Sequence, residues 1–254
     1  MDNFREEFIV KFKNLLEKDN HIFCAWEGGS AATGYLDEYS DFDLGLICDD
    51  KKVEETFEKI EKYLDEHYGI KTKFRMPEPS WHGHSQCFYL LENTPEFFYV
   101  DLLLEKLSSG NRFMESDRHG NSIVWFDKKK LFDPTPTPVE QVKAKGKRLY
   151  KMIKNSYWLL VLDVKKQILR ENKVDAYVIY NQLLNRIAPL MNLKYRSPKS
   201  DFGLRYTYRD FPNVECEWLE KMQQVSSLKK MMLNVREIEA KYAELIEELE
   251  DKWK

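Results

Sequence analysis

Hydrophobic and polar residues along the first half of the chain follow two periods. Apolar residues at spacings of three and four predict helices over residues 4–16 and 51–68, the second with a charged outer face. The inward positions of this second helix are Val53, Phe57, Ile60 and Leu64. Short apolar runs bounded by turn residues predict strands over residues 21–27, 41–48, 70–75, 86–91, 97–104 and 122–126. The connection between the fourth and fifth of these strands has the length of a hairpin loop.

A proline-rich segment divides the chain. Residues 133–138 contain three prolines within five positions, which forbid a helix and favour a stiff, extended linker. Beyond it, apolar spacings predict long helices over 139–170, 174–193 and 216–253, with Pro189 ending or kinking the second. The last segment fits either a coiled coil or one rod of a small bundle, and its drifting heptad favours the bundle.

These patterns predict an α+β fold in two domains. The N-terminal domain, residues 1–132, is expected to hold a mixed β-sheet with flanking helices. The C-terminal domain, residues 139–254, is expected to be a helical bundle, reached through the linker at 133–138.

Composition narrows the class of protein. The 254 residues are 33% charged and 43% hydrophobic, and a net charge of -3 argues against a general attraction to nucleic acid. Residues 1–18 predict a charged amphipathic helix instead of a signal peptide, and no apolar run approaches the roughly 20 residues that span a bilayer. The scattered cysteines suggest neither a disulfide framework nor a zinc site, which predicts a reduced cytoplasmic protein. They are Cys24, Cys48, Cys87 and Cys216.

Three acidic residues stand where a folded chain would not normally leave unpaired carboxylates. Asp41 and Asp43 alternate at the start of a predicted strand, so they share one face at a separation of about 6.5–7 Å. Asp101 interrupts the apolar run 97–104, where burial of an unpaired carboxylate would cost on the order of several kcal/mol. A shared divalent cation, which prefers oxygen ligands, would remove that cost.

A small-residue turn, Gly28-Gly29-Ser30-Ala31-Ala32-Thr33-Gly34, precedes the acidic pair. Ser30 is expected to cap a brief helix that closes near Gly34. Backbone N–H groups at Gly29 and Ser30, together with the Ser30 hydroxyl, are suited to phosphate oxygens. The turn and the three acids together predict a metal-dependent phosphate site.

Each feature alone has an ordinary structural explanation. An Asp-x-Asp pair is often a solvated strand edge, a glycine pair before serine commonly begins a helix, and Asp101 could pair with a lysine. Their common order and spacing favour the phosphate site. The tetrapeptide Trp81-His82-Gly83-His84 lacks the further ligands of a metal site, and we expect loop residues there.

The segment 201–212 alternates aromatic residues and arginines inside the otherwise helical half. A packed loop between helices explains this pattern. The alternative places Tyr206, Tyr208, Arg205 or Arg209 along a cleft, where they would stack on a base or bind phosphate.

Gly29-Ser30, ten intervening residues, Asp41-Phe42-Asp43-Leu44 and a later strand acid resemble the nucleotidyltransferase superfamily typified by DNA polymerase β. Within it, the arrangement is most similar to the bacterial antibiotic-modifying aminoglycoside and lincosamide nucleotidyltransferases. The motif-bearing resemblance covers about residues 20–110. It implies that Gly29 and Ser30 contact the nucleotide phosphates. It also implies that Asp41, Asp43 and Asp101 are catalytic and ligate Mg²⁺, with Asp101 as a possible base toward the acceptor.

One departure from the family pattern concerns the phosphate contacts. Many members carry a basic residue in the turn where this chain has Thr33. A basic cluster just after the linker is a candidate replacement, with Lys147 and Arg148 as the predicted nucleotide-binding residues, and a solvated helix face is the alternative. The cluster consists of Lys143, Lys145, Lys147, Arg148, Lys151 and Lys154.

The resemblance implies Mg²⁺-dependent transfer of a nucleoside monophosphate, most simply AMP from ATP, to an acceptor hydroxyl in a site between the two domains. The expected partners are a nucleoside triphosphate, one or two Mg²⁺ ions and a small-molecule acceptor such as an antibiotic; neither a membrane nor nucleic acid is expected. A protein side chain is the alternative acceptor. A non-catalytic nucleotide-binding or interaction protein that kept the fold is the alternative class, and the presence of all three acids argues against it.

Overall fold

The structure, a computed structural model, describes residues 2–110 and 112–254. Its contacts divide the chain into two units, Met1–Pro136 and Thr137–Lys254. The first unit is built on a sheet and the second on helices, so the predicted α+β class is confirmed.

The sheet of the first unit has six strands in the described residues, and each coincides with a predicted run within a few positions. They are β1 (Ile22–Glu27), β2 (Phe42–Cys48), β3 (Ile70–Arg75), β4 (Ser85–Leu91), β5 (Tyr99–Lys106) and β6 (Ile123–Asp127). The spatial order is β3-β4-β5-β2-β1-β6. Strands β2 and β5 are parallel and the other neighbours are antiparallel, which makes the sheet mixed.

Helices of the first unit are α1 (Asp2–Glu17), α2 (Gly29–Thr33), α3 (Val53–Tyr68) and α4 (Ser116–His119). Helices α1 and α3 cover one face of the sheet, because their apolar stripes join its main core. The four predicted inward positions of α3 are all buried. Alternate residues of β2 and β5, among them Phe42, Leu44, Val100 and Leu102, point into this core. The intervening residues of both strands therefore point to the opposite face.

The second unit consists of α5 (Val139–Leu169), α6 (Lys173–Arg186), α7 (Ala188–Tyr195), α8 (Thr207–Asp210), α9 (Asn213–Gln223) and α10 (Leu228–Trp253). A single apolar core joins α5, α6, α7, α9 and α10, as the bundle prediction required. Pro189 lies in the first turn of α7, directly after the break from α6, so the predicted interruption is confirmed.

The prediction of one helix over 216–253 is wrong, because the helix is interrupted between α9 and α10. The carbonyl groups freed there find side-chain donors: Tyr180 Oη donates to Met222 O at 2.5 Å and Tyr177 Oη to Val225 O at 2.6 Å. Ser227 then caps α10 by accepting a hydrogen bond from the Lys230 N–H at 3.1 Å. The break is stable because its polar backbone groups are satisfied, which helical periodicity does not reveal.

No helix in the described part of the chain is both long enough and apolar enough to cross a membrane.

Candidate active site

Two of the predicted acids lie side by side on the face of the sheet away from the main core. Asp43 of β2 is directly in register with Asp101 of β5 in the parallel pair. Asp41 immediately precedes β2, and its carboxyl group is hydrogen-bonded to that of Asp43. The structure therefore brings all three predicted acids together, as the alternation within each strand requires.

The electrostatics of this cluster disfavour full ionisation. Burial raises the pKa of Asp43, the neighbouring charges of Asp41 and Asp101 raise it further, and the Arg5 guanidinium opposes them. Burial also raises the pKa of Asp101 to about 6. The hydrogen bond from Gln86 lowers this pKa, and the charge of Asp41 raises it. The raised pKa values of Asp43 and Asp101 favour their protonated forms, a situation that a shared cation would relieve.

The glycine turn packs against the acidic pair. Gly28 donates its backbone N–H to the Asp43 carbonyl at 3.0 Å. Gly29 has a φ of +53°, and a Cβ placed there would lie 1.7 Å from Asp43 Oδ2. Only glycine accommodates both this backbone conformation and this approach. The turn and the acidic pair, separated in the sequence, are therefore in direct contact in the structure.

The predicted cap at Ser30 is wrong in detail. Gly28 occupies the N-cap of α2, no side chain caps the helix, and Ser30 lies inside its first turn. The Ser30 hydroxyl is instead buried without a hydrogen-bond partner in the described residues. The predicted end of the helix is confirmed, since Gly34 adopts the left-handed conformation at its C-cap.

The Thr33 side chain makes its hydrogen bonds within helix α2. Its hydroxyl donates to the carbonyl oxygens of Gly29 at 2.9 Å and Ser30 at 3.3 Å. It therefore closes the turn and is not available as a phosphate ligand.

Lys147 and Arg148 lie on the exposed side of α5 in the helical unit, and their contact with a nucleotide stays a prediction. Within the same basic cluster, Lys145 pairs with Asp201 at 2.7 Å and Lys154 with Glu250 at 2.8 Å. Lys143 pairs with Glu140 within the helix, so part of this cluster is neutralised by carboxylates.

Sequence reasoning missed polar residues that contact the acids. Gln86 of β4 donates its amide to Asp101 Oδ1 at 2.6 Å, and the Tyr99 hydroxyl is hydrogen-bonded to Asp41. Tyr99 could have been found, because it lies two residues before Asp101 on the same strand face. Gln86 could not be identified from the sequence alone, because its contact with Asp101 depends on the register between strands β4 and β5.

Arg5 is a further missed residue, and it ties α1 to the acidic pair. Its guanidinium donates to the Asp41 carbonyl at 3.0 Å, forms a short ion pair with the buried Glu27, and lies over the Phe42 ring. No pattern within α1 distinguishes Arg5 from the other charged positions of that helix.

A second buried carboxylate lies farther along the same face of β5. Glu105 is fully buried, with Arg112 Nε at 3.4 Å from Oε2 and His84 Nε2 at 3.9 Å from Oε1. Burial raises the pKa of Glu105 to about 8, although Arg112 opposes the rise. This residue is a buried acid that the sequence analysis did not select.

The three aspartates suit a hard divalent cation, since they offer only oxygen donors beside a buried hydroxyl. No group of three or more His, Cys, Asp or Glu side chains in residues 2–110 and 112–254 is already arranged to hold a metal ion. The donor chemistry fits Mg²⁺ if these side chains turn toward it.

The segment 201–212 forms part of an open pocket of about 410 Å³ within the helical unit. Tyr206 has a φ of +60°, an uncommon conformation for an aromatic residue, and the Arg205 and Arg209 guanidinium groups lie about 5 Å from its ring centroid. Tyr208 and Glu220 also line the pocket. Both interpretations of this segment, a packed loop and a ligand-contacting surface, stay predictions.

A mixed sheet that holds aligned acids against a glycine–serine turn defines the nucleotidyltransferase class. Comparison with protein families agrees: the chain belongs to the streptomycin adenylyltransferase family, whose sequence model matches residues 4–208. The chain is accordingly a nucleotidyltransferase.

Among solved structures, the chain is similar to a nucleotidyltransferase-like protein from Exiguobacterium sibiricum 255-15, with 13% sequence identity and a TM-score of 0.37. The match covers 96% of this chain and 73% of that protein. No curated protein matches the sequence.

Proposed function

We propose that this protein transfers a nucleoside monophosphate, in the simplest case AMP from ATP, to a hydroxyl group of a small-molecule acceptor. The observation that carries the proposal is the contact between Gly29 and Asp43, together with the pairing of Asp43 with Asp101 on the neighbouring strand. This arrangement joins a phosphate-binding turn to a set of carboxylates, and metal-dependent phosphoryl chemistry needs both.

Asp41, Asp43 and Asp101 are the residues that would hold Mg²⁺, as one ion or two. When bound, the metal would neutralise charge on the triphosphate and stabilise the departing pyrophosphate. In its absence, burial and, to a lesser extent, repulsion from the neighbouring carboxylates raise the pKa values of Asp43 and Asp101. The same repulsion gives the site its affinity for a cation.

The backbone of Gly29 and the hydroxyl of Ser30 are the proposed contacts of the phosphate oxygens. The Ser30 hydroxyl is buried and has no hydrogen-bond partner among the described residues, which supports this role, because a hydrogen bond to a ligand would satisfy it. Lys147 and Arg148 of the helical unit are the proposed cationic contacts of the phosphates, because the turn at residues 28–34 has Thr33 and no basic residue.

In the proposed reaction, the acceptor hydroxyl oxygen attacks the α-phosphorus. A new phosphorus–oxygen bond forms, the bond to the β-phosphate bridging oxygen breaks, and pyrophosphate leaves. The hydroxyl proton passes to a carboxylate, and Asp101 is the proposed base. Burial raises the pKa of Asp101 to about 6 in the metal-free site, so its carboxylate is more basic there than that of an ordinary aspartate.

The family description supports a hydroxyl-rich antibiotic as the acceptor class. The helical unit is the proposed acceptor-binding domain, and its pocket beside Tyr206 and Glu220 is a candidate contact surface. A protein hydroxyl is the alternative acceptor. The co-substrate ATP and four cysteines without disulfide bonds agree with a reducing, cytoplasmic compartment.

The test is pyrophosphate release from ATP and Mg²⁺ across a panel of aminoglycosides, lincosamides and unrelated polyols, with radiolabel from the α-phosphate followed into product. We expect label transfer to one acceptor class and a loss of at least about 100-fold in Asp43→Asn. ATP binding without label transfer to any small molecule or protein would favour the non-catalytic alternative. Label on a protein would select the second acceptor class.

A further inference from the structure

The Trp81-His82-Gly83-His84 segment, expected to be only a loop, contains a buried histidine with a defined hydrogen-bonding pattern. His82 is 9% exposed and lies just before β4. The backbone N–H of His84 donates to His82 Nδ1 at 3.2 Å. A backbone N–H can only donate, so this contact assigns Nδ1 as an acceptor and as the unprotonated nitrogen; Ser80 Oγ also lies 3.3 Å from it. The neutral ring therefore carries its proton on Nε2.

The protonated nitrogen of His82 faces the side chain of Gln86. Nε2 lies 3.1 Å from Gln86 Oε1, and it donates a hydrogen bond there because Nδ1 is the acceptor. The amide nitrogen of Gln86, at the other end of the same group, donates to Asp101 Oδ1 at 2.6 Å. A continuous path of hydrogen bonds thus runs from His82 through Gln86 to Asp101.

The orientation of the Gln86 amide matters because its oxygen and nitrogen can exchange places by a half-turn. With nitrogen toward Asp101, the amide stabilises the carboxylate, and with oxygen toward it, two acceptors would repel. His82 can donate only to the oxygen, so it selects the first orientation. This selection holds the Asp101 carboxylate at one position on the sheet face.

The loop around His82 is itself constrained. Ser80 Oγ donates to the His84 carbonyl at 2.5 Å and accepts from the Gly83 N–H at 3.1 Å. The Phe113 ring packs edge-on against the His82 ring, with centroids 5.8 Å apart. His82 is therefore fixed from two sides, as a group that orients another must be.

We propose that His82 and Gln86 are positioning residues that set the location of the Asp101 carboxyl group during nucleotide transfer. The inference rests on the proposed function, because the role of Asp101 is taken from it. Neither residue needs to contact the substrate. His82 acts through Gln86, and Gln86 acts through Asp101.

The first test uses NMR on the full-length protein without ligand, so it does not depend on catalysis. Long-range proton–nitrogen correlations should show His82 protonated on Nε2 and not on Nδ1. The side-chain amide protons of Gln86 should exchange slowly with solvent in wild type. They should also exchange slowly in His82→Gln, because this variant keeps an N–H donor. In His82→Phe their exchange should be at least about tenfold faster. Equal exchange in wild type and His82→Phe, or an Nδ1–H tautomer, would overturn the proposal.

The second test measures kcat and KM for nucleotide transfer. Gln86→Leu should lower kcat by about 10- to 100-fold with little change in KM for ATP, as expected for loss of a group that supports a metal or catalytic ligand. His82→Phe should produce a smaller drop in the same direction, and the double variant should match Gln86→Leu because both act along one path. His67→Phe, at an exposed histidine of α3, is the matched control and should behave as wild type.

Additive losses in the double variant, or a kcat in His82→Phe equal to that of the control, would contradict the proposed path. Should His82→Phe fail to fold, His82→Gln, which keeps the donor, should retain a kcat near that of wild type while Gln86→Leu loses it, and an equal loss in the two variants would contradict the path. A protein with the predicted NMR pattern and no transfer to any acceptor would contradict the proposed function and leave the hydrogen-bond path intact.

Discussion

Gly29 and Asp43 are in such close contact that no side chain fits between them: a Cβ at Gly29 would lie 1.7 Å from Asp43 Oδ2. The turn that is proposed to bind phosphate therefore rests directly on a carboxylate that is proposed to bind metal. This contact fixes the distance between the two halves of the site, since the Gly28 N–H also donates to the Asp43 carbonyl at 3.0 Å.

Gly29→Ala should displace the Asp43 carboxylate and lower turnover by about 100-fold, the cost typical of a misplacement of about 1 Å. The measurement is kcat for nucleotide transfer, alongside urea unfolding to show that the fold survives. Gly34→Ala is the matched control, because Gly34 also has a positive φ of +75° but a Cβ there meets nothing within 4 Å. Equal turnover in the two variants would show that backbone strain, and not the contact with Asp43, is responsible.

Activity at low pH should depend on the Mg²⁺ concentration. Burial raises the pKa of Asp101 to about 6, and burial with the neighbouring charges raises that of Asp43, so both carboxyl groups hold protons at pH values where ordinary aspartates are ionised. A cation binds only the ionised groups, so it competes with these protons. The acid limb of the kcat/KM profile should therefore move to lower pH, by up to about one unit per tenfold rise in Mg²⁺.

The measurement is a set of pH profiles at three Mg²⁺ concentrations, with the ATP–Mg²⁺ complex kept saturating. An acid limb that stays at the same pH in all three profiles would mean that the titrating group is not a metal ligand.

Glu105→Gln should stabilise the protein at alkaline pH. The pKa of Glu105 is raised to about 8 in the folded protein and is about 4.3 in an unfolded chain, so the folded state binds the extra proton between these values. Folding stability therefore falls as pH rises through this window, and the glutamine, which is neutral throughout, avoids that loss. Each kcal/mol regained corresponds to about 2 °C in Tm for a chain of this length.

The measurement is Tm of wild type and Glu105→Gln at pH 5 and pH 9. The advantage of the variant should be larger at pH 9, and Glu66→Gln on the exposed side of α3 should show no such dependence. A difference in Tm that does not change with pH would place the Glu105 carboxyl in a more polar environment than the structure shows.

Local patterns predicted most of the fold. The strands and helices of the first unit follow from period-two and helical spacing, and the burial of Val53, Phe57, Ile60 and Leu64 follows from the same rule. Asp101 was recognised because an unpaired carboxylate in an apolar strand is costly. The alternation within β2 and β5 then placed the acids on one face.

The remaining features depend on non-local contacts. The register of Gln86 against Asp101 follows from strand pairing, and the contact of Arg5 with Asp41 follows from the packing of α1 on the sheet. The N-cap at Gly28 depends on a backbone conformation imposed by Asp43, so the preference of serine for caps was misleading. The break before Ser227 required donors from Tyr177 and Tyr180 on another helix.

The central claim is tested most directly by the binding of Mn²⁺, measured by electron paramagnetic resonance. The assay contains an ATP analogue that cannot be cleaved between the α- and β-phosphates. The claim is that side-chain oxygens of Asp41, Asp43 and Asp101 serve one cation site. Wild type should bind the metal, and each of Asp41→Asn, Asp43→Asn and Asp101→Asn should weaken binding by at least about tenfold. Wild-type affinity in Asp101→Asn would contradict the claim.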